Sequence, residues 1–324
     1  MPNDALLLRL NALRGDDPSY SNGNSNHLPM VLAALHALGA VPSRLDVFAE
    51  TQRSLIRPLA SGEFASRWAD FEAQIATDGR DAVLCRELPR LLEGLVTAAF
   101  HGLIRLAYGV RFGADAEVAA GLAVLSVFRR EVPLPSGAAS TGAAEGLRSL
   151  SQGTALANAE FERPMIMGRL LEVLAHPAFL AAVPPLRFEK GADRAWHSLA
   201  VTAARLYRAT GDFTALHLIT SLHSLRVLWP WIEAPEVALQ RYWLAFCAAY
   251  VAIGRPWPME FRALAGPLPA WEALCAAALG SSDDHVIKLV DSCDALAHEF
   301  DADTSELPAL LQACAAQVLQ ADTH

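Results

Sequence analysis

Apolar residues recur at helical spacing along most of the chain, and this pattern predicts a protein built from helices. Phe64, Trp68 and Phe71, for example, are spaced for one face of a helix. Alanine and leucine dominate the composition while β-branched residues are sparse, which favours helix over sheet. No segment alternates apolar and polar residues as a half-buried strand does. We therefore predict an all-α fold.

Polar residues and prolines mark the expected helix ends. The segment 16–26 is rich in Ser, Asn and Gly, which predicts a loop that can lie over a site. Asn26 is the predicted cap of the next helix, with Pro29 in its first turn. A long helical region is expected over 80–110, broken near Pro89. Ser281 or Ser282 is the predicted cap of a helix that ends near Phe300.

The 324 residues are expected to form a single large helical domain spanning residues 1–324. Pro133, Pro135 and four glycines change the character of residues 131–155, which predicts a long loop. We do not place a domain boundary in this loop, because the histidines that carry the chemical signal fall on both sides of it.

Composition excludes several classes of protein. The net charge is −9 and no basic run is present, which argues against nucleic-acid binding. The five cysteines are far apart and form no CxxC pair, as expected of buried thiols in a reducing compartment. No apolar run approaches the roughly 20 residues of a membrane span, and no signal-peptide pattern opens the sequence. These features predict a soluble cytoplasmic protein.

Histidine is the main chemical signal, because nucleotide-binding and hydrolase motifs are absent. The largely apolar helical segment Phe213–Arg226 contains His217 and His223. A buried imidazole needs a hydrogen-bond partner or a metal. Six residues separate the two, about 120° around a helix, so they do not point naturally at one atom. Three more histidines open or interrupt apolar helical runs: His27, His101 and His285.

Lysine is nearly absent, and one of the two lysines, Lys288, lies three residues after His285 on the same helical face. A protonated amine is a poor metal ligand, but an amine carbamylated by carbon dioxide is an anionic oxygen donor. The alternative interpretation pairs Lys288 with Asp284 and Asp291 in a solvated ion pair on the helix surface. Taken alone, each histidine also fits a structural role, as a core or surface residue whose ring nitrogens have hydrogen-bond partners.

Four local patterns occur in one order along the chain: Asn26-His27-Leu-Pro-Met, His101-Gly-Leu-Ile-Arg105-Leu-Ala-Tyr108, His217-Leu-Ile-Thr220-Ser and Asp284-His285-Val-Ile-Lys288. In this order they resemble the questin oxidase-like family, and the resemblance covers residues from about 20 to 300. The family contains fungal enzymes that oxidatively open anthraquinone rings, together with bacterial members that this chain resembles.

The resemblance implies an all-helical oxygenase with non-haem Fe(II), four histidine ligands and a carbamylated lysine. Carried onto this sequence, the lysine is Lys288 and the firmest histidine ligands are His27, His101 and His217. The fourth ligand is either His285 or His223. The implied partners are an aromatic small-molecule substrate and dioxygen.

Arg105 and Tyr108 share a helical face with His101 and are candidates to orient substrate oxygens, although a surface position fits them equally. Baeyer–Villiger oxidation with NADPH as external reductant is an alternative reaction within the family, but the chain has no dinucleotide fingerprint. The rival from another class is a non-catalytic helical protein that binds a hydrophobic molecule, and a metal-dependent hydrolase is a weaker third. The sequence does not decide between a monomer and a homo-oligomer.

Overall fold

Sixteen α-helices make up most of the regular structure in the described part of this chain. The structure is a computed structural model that describes residues 4–95, 99–136, 140–260, 266–300 and 305–322. These residues contain no β-strand, so the predicted all-α fold is confirmed. None of the described helices combines the length and the apolar character needed to cross a membrane.

The helices are α1 Asp4–Ala12, α2 Leu28–Ala37, α3 Pro42–Gln52, α4 Glu63–Asp78, α5 Arg80–Leu91, α6 His101–Phe112, α7 Asp115–Val127, α8 Ala143–Gln152, α9 Ile166–Ala175, α10 Phe179–Ala182, α11 Ala192–Thr210, α12 Phe213–Val227, α13 Pro235–Ala252, α14 Trp271–Gly280, α15 Asp284–Glu299 and α16 Leu307–Asp322. Two short 3-10 helices follow α5 and α12.

Helix α12 lies at the centre of the fold. Every side chain from residue 214 to residue 225 is buried, and the helix contacts α6, α11, α13 and α15. Its start is fixed by Asp212, whose carboxylate accepts hydrogen bonds from the backbone N–H of Thr214 at 2.6 Å and of Ala215 at 3.3 Å. A helix buried on all sides normally carries only apolar residues, so its histidines require partners inside the protein.

Helices α6 and α7 approach each other closely because glycines face the contact from both sides. A Cβ atom added at Gly121 of α7 would lie 2.6 Å from the backbone of Leu106 in α6. A Cβ added at Gly109 of α6 would lie 2.7 Å from the backbone nitrogen of Val118 in α7. This approach fixes the position of α6, whose first residue is His101.

The prediction of a long loop over 131–155 is wrong, because helix α8 forms from Ala143 to Gln152. The helix has one apolar face, and Ala143, Leu147 and Leu150 on that face are buried. Gly146 weakens the helical pattern in the sequence, yet the packing requires a residue without a side chain at this position. A Cβ there would lie 2.6 Å from the ring of Trp243.

The expected break near Pro89 is present, since α5 ends at Leu91 and a separate helix, α6, begins at His101. Pro89 itself is still helical, because a proline this close to the end of a helix disrupts little of the remaining hydrogen bonding. The start of α15 differs from the sequence expectation. Asp283, and not Ser281 or Ser282, caps α15. The hydroxyl of Ser281 instead accepts a hydrogen bond from the backbone N–H of Asp283 at 3.0 Å.

We predict that Gly121→Ala destabilises the protein by about 1–3 kcal/mol, because the added methyl group meets the backbone of α6 and no flexible side chain can move aside. The matched control is Gly280→Ala at the end of α14, where a Cβ meets no atom within 4 Å. Urea unfolding of both variants measures the difference. Equal free energies of unfolding for the two would contradict the close approach.

Candidate functional site

Four histidines that are distant in sequence meet beside one cavity, which three of them line: His27, His101 and His285. The ring centroids of His27 and His101 are 4.7 Å apart and the rings are stacked, while those of His27 and His285 are 4.8 Å apart. The ring of His217 lies 5.2 Å from both His101 and His285. The ring nitrogens of His27, His101 and His285 fall within 4.8 Å of one another, as in a set that could hold a metal ion.

The loop that precedes α2 positions His27. The side chain of Asn26 accepts a hydrogen bond from the N–H of Leu28 at 3.1 Å and donates one to the carbonyl of Asp17 at 3.1 Å. Asn26 therefore contributes to the start of α2 as predicted, although the residue at the cap position itself is His27. The loop is thereby fastened to the helix, and His27 is placed where the two meet.

An unusual backbone turn positions His101. The two residues before it, Ala99 and Phe100, have φ values of +47° and +66°, a region that residues with a side chain rarely adopt. Phe100 is fully buried, and its ring packs 6.0 Å from that of Tyr242. Because buried packing holds this strained turn, α6 begins with its first side chain directed at the other histidines.

The N-terminal turn of α15 carries His285. The carboxylate of Asp283 accepts hydrogen bonds from the N–H groups of His285 at 2.7 Å and Val286 at 3.2 Å. This cap places Asp284 and His285 in the first turn and Lys288 one turn later.

The Asp284 carboxylate connects two of the histidines. One oxygen accepts a hydrogen bond from Nδ1 of His27, and the other lies 2.5 Å from Nδ1 of His285. Burial alone raises the pKa of Asp284, but the charge of Lys288 and the two imidazole contacts outweigh it and hold the pKa well below its usual range. Asp284 is therefore an anion that fixes the orientation of both rings.

These contacts leave the Nε2 atoms of His27 and His217 available. In His217, Nδ1 donates to the carbonyl of Phe213 at 2.8 Å. Within the described part of the chain, neither Nε2 has a hydrogen-bond partner, although both are buried. Burial, with the positive charge of Lys288, lowers the pKa of His27 to about 3, and burial with neighbouring positive groups lowers that of His217. Both rings are thus neutral near pH 7, the form that binds a metal.

Lys288 lies beside this cluster and not in solvent. Only 3% of its surface is exposed, and burial lowers the pKa of its amine, although Asp284 and Asp283 partly oppose this. Asp291, the other anion in the proposed surface pair, instead binds Tyr108 and Arg111. The surface ion pair weighed for Lys288 is therefore not formed.

His223 is not part of this cluster. Its Nδ1 shares a hydrogen bond of 3.1 Å with the hydroxyl of Ser292, one turn beyond Lys288 on α15. Burial, followed by the charge of Arg111, lowers the pKa of His223 to about 3. Of the two alternatives for a fourth histidine, the structure brings His285 and not His223 next to the other three.

Arg105 and Tyr108 both have protein partners. The guanidinium of Arg105 donates to the carboxylate of Glu117 at 2.7 and 3.3 Å, and both residues are buried. The hydroxyl of Tyr108 donates to Asp291 at 2.7 Å. Arg105 still borders the cavity, but its hydrogen-bonding capacity is largely used inside the protein.

A cavity of about 500 Å³ leads from the surface to the histidines. Its volume falls in the range of about 300–1,000 Å³ usual for small-molecule sites. The loop 16–26 lines one side, as its composition predicted. Of the nine large hydrophobic side chains that are exposed among the described residues, four line this cavity and give its outer part an apolar patch beside the polar loop: Phe128, Met165, Met167 and Phe213.

A second cavity of similar volume, about 510 Å³, lies at the start of α11. It is lined by exposed charged side chains, among them Arg187, Lys190 and Arg194. Its one histidine, His197, is hydrogen-bonded to Ser305 at 2.7 Å. We take the first cavity as the candidate site, because it alone of the two is lined by convergent histidines.

Sequence reasoning missed the role of Asp284 and the composition of the cavity mouth. Asp284 was weighed only as a surface partner of Lys288, although its place directly before His285 was a usable signal. Phe213 also borders the site, with its ring 4.3 Å from His285 and 4.8 Å from His217. Nothing in the spacing of Met165 and Met167 indicated that they reach the same cavity.

The fold and the site together define a helical protein with a four-histidine cluster beside a cavity that is partly lined by apolar side chains. A family model described as questin oxidase-like matches residues 24–293 of the 324-residue chain. The chain belongs to the questin oxidase-like family. No curated protein matches the sequence significantly. Family membership suggests an oxidoreductase, namely an oxidase acting on an aromatic polyketide.

We predict that replacing His223 flattens the dependence of stability on pH. The pKa of His223 is near 3 in the fold and 6.5 ordinarily, so below pH 6.5 the unfolded chain takes up a proton that the fold excludes. The free energy of unfolding of the wild type should fall, relative to that of His223→Gln, by about 1.4 kcal/mol per pH unit between pH 6 and 4. Urea unfolding at several pH values measures this, and a constant difference between the two proteins would contradict it.

Proposed function

We propose that this protein is a non-haem iron oxygenase that oxidises the ring of an aromatic, polyketide-like quinone with dioxygen. His27, His101, His217 and His285 would hold the metal ion, together with Lys288 as a carbamate. The observation that carries the proposal is the convergence of four histidines, of which His27 and His217 are buried and His101 and His285 are partly buried. The carboxylate of Asp284 joins two of them, His27 and His285.

The donor set fits a divalent cation. Buried imidazole nitrogens without partners are unfavourable, by about 1–3 kcal/mol each, unless a metal ion or a hydrogen-bond donor satisfies them. The Nε2 atoms of His27 and His217 meet that description within the described residues. Imidazole and carboxylate-type oxygen ligands suit Fe(II), which supplies dioxygen-binding redox chemistry when bound.

Lys288 is suited to carbamylation. Its amine is buried with a lowered pKa, which favours the unprotonated form that reacts with carbon dioxide. Nζ forms a bond to the carbon of CO₂ and loses one proton to solvent, which gives an anionic carbamate. The product is an oxygen donor beside the histidines in place of a repelling ammonium group.

The protein's own residues would bind and orient the substrate. The apolar side chains at the mouth, including Phe213 and Met165, would cover the faces of a flat ring and exclude water. Asp284 would keep the rings of His27 and His285 in place throughout the reaction. Whether ring cleavage or a Baeyer–Villiger insertion follows depends on the substrate bond presented.

The second candidate function is binding of a hydrophobic aromatic molecule without turnover, and the same cavity favours it. The described residues contain no β-strand, so a Rossmann-type NADPH site is not formed there. A requirement for NADPH as an external reductant stays a prediction, open to test in the same assays.

We predict that the purified protein contains about one equivalent of iron, and that His101→Ala and His217→Ala each lose it because a ligand is removed. Metal analysis by plasma mass spectrometry measures the content, with circular dichroism to confirm folding. His223→Gln is the matched control, since this buried histidine lies outside the cluster, and it should keep its metal. Full metal content in both alanine variants would refute the assignment.

The binding-only alternative gives different results in the same preparations. It predicts metal-free protein that binds quinones and consumes no oxygen. An oxygen electrode with a hydroxyanthraquinone present separates the two functions. Quinone-dependent oxygen uptake in the wild type, absent from His217→Ala, supports the oxygenase.

We predict that Asp284→Asn weakens metal binding about 10- to 100-fold, because an amide cannot accept hydrogen bonds from both imidazoles as the carboxylate does. Titration of the metal against a competing chelator measures the affinity. Asp283→Asn is the matched control. It removes a neighbouring charge but keeps a residue able to cap α15, and should change affinity little. Equal losses in both variants would mean that charge, and not ring orientation, is the cause.

A further inference from the structure

The start of helix α9 builds part of the cavity wall. Residues Pro164, Met165, Ile166 and Met167 line it. Met165 and Met167 are exposed there, so this part of the wall is apolar.

Arg169, in the first turns of the same helix, also lines the cavity. Its Nε is buried and has no hydrogen-bond partner in the described residues. Its one hydrogen bond to a side chain is long, 3.4 Å from a terminal nitrogen to the hydroxyl of Thr214. Arg169 forms no ion pair within the described ranges, and the nearby Glu172 is paired with Arg163 at 2.9 Å.

The two arginines that line the cavity therefore differ in whether a carboxylate pairs with them. Arg105 is neutralised by both oxygens of Glu117. Arg169 presents a permanent positive charge whose fork of donors is mostly unused, and a guanidinium fork matches a carboxylate or an ionised oxygen. Arg44 and Arg255 are also half-buried without a carboxylate partner among the described residues, but backbone carbonyls accept hydrogen bonds from their guanidinium groups. Arg169 has no such backbone partner there.

We propose that Arg169 recognises an ionised oxygen substituent on the substrate, so that this protein prefers acidic quinones over neutral ones of the same shape. The inference rests on the proposed function only in taking this cavity as the substrate site. Arg169 acts in specificity: it binds the substituent and holds the ring in one orientation relative to the histidines.

The test compares two probes of nearly equal shape, anthraquinone-2-carboxylate and anthraquinone-2-carboxamide, by equilibrium binding to the full chain. Wild type should bind the carboxylate about ten times more tightly or better, as expected for a charge-assisted hydrogen bond. Arg169→Gln should abolish that preference, and Arg169→Lys should keep part of it. Arg163→Gln, which removes an exposed charge outside the cavity, should keep all of it.

A preference that survives in Arg169→Gln would overturn the inference, since the carboxylate would then be bound by another group such as the histidine cluster. Lack of any preference in wild type would do the same. Metal content of the same samples separates this from the proposed function. Metal-free wild type with an Arg169-dependent preference would refute the oxygenase and leave the recognition of acidic quinones standing. Arg169→Lys keeps the test decisive if Arg169→Gln does not fold.

Discussion

The carboxylate of Asp284, shared between two imidazoles, is the contact on which the rest of the site depends. It joins residues 257 positions apart in sequence and so fastens the start of α2 to the start of α15. The same carboxylate fixes which nitrogen of each ring is occupied, and therefore which one faces the interior. Its negative charge is favoured where it lies, because it sits in the first turn of a helix and beside Lys288.

Burying the histidines of this cluster in the core carries a free-energy cost. Helix α12 is buried on every side yet contains His217 and His223, where leucine would pack without a desolvation cost. The two histidines differ in how this desolvation cost is offset. His223 is satisfied by Ser292, whereas Nε2 of His217 has no hydrogen-bond partner among the described residues. The proposed metal ion would supply the partner that Nε2 of His217 lacks.

Much of this arrangement was predictable from the sequence. The features that were not predictable depend on tertiary packing. Helical spacing predicted the fold class, and the motif order singled out His27, His101 and His217 before any geometry was known. The angle of about 120° between His217 and His223 on one helix disfavoured His223, but only tertiary packing decides that His285 joins the other three. The role of Asp284 was hidden because its helical neighbour Lys288 offered a local partner, while one of its two imidazole partners, His27, is 257 residues away. Helix α8 was missed because Gly146, which lowers helix propensity, is required by Trp243.

Charge accounting connects the buried lysine to the proposed metal ion. With Lys288 protonated, its positive charge and the negative charge of Asp284 cancel, so the cluster is neutral and its burial is tolerable. Conversion of the ammonium to a carbamate changes the charge of the lysine by two units, from positive to negative. A divalent cation held by four neutral imidazoles restores neutrality, whereas carbamate formation alone would leave two uncompensated anions in a buried site. Carbamylation and metal binding at this site should therefore each stabilise the other, because neither charge is tolerable inside the protein by itself.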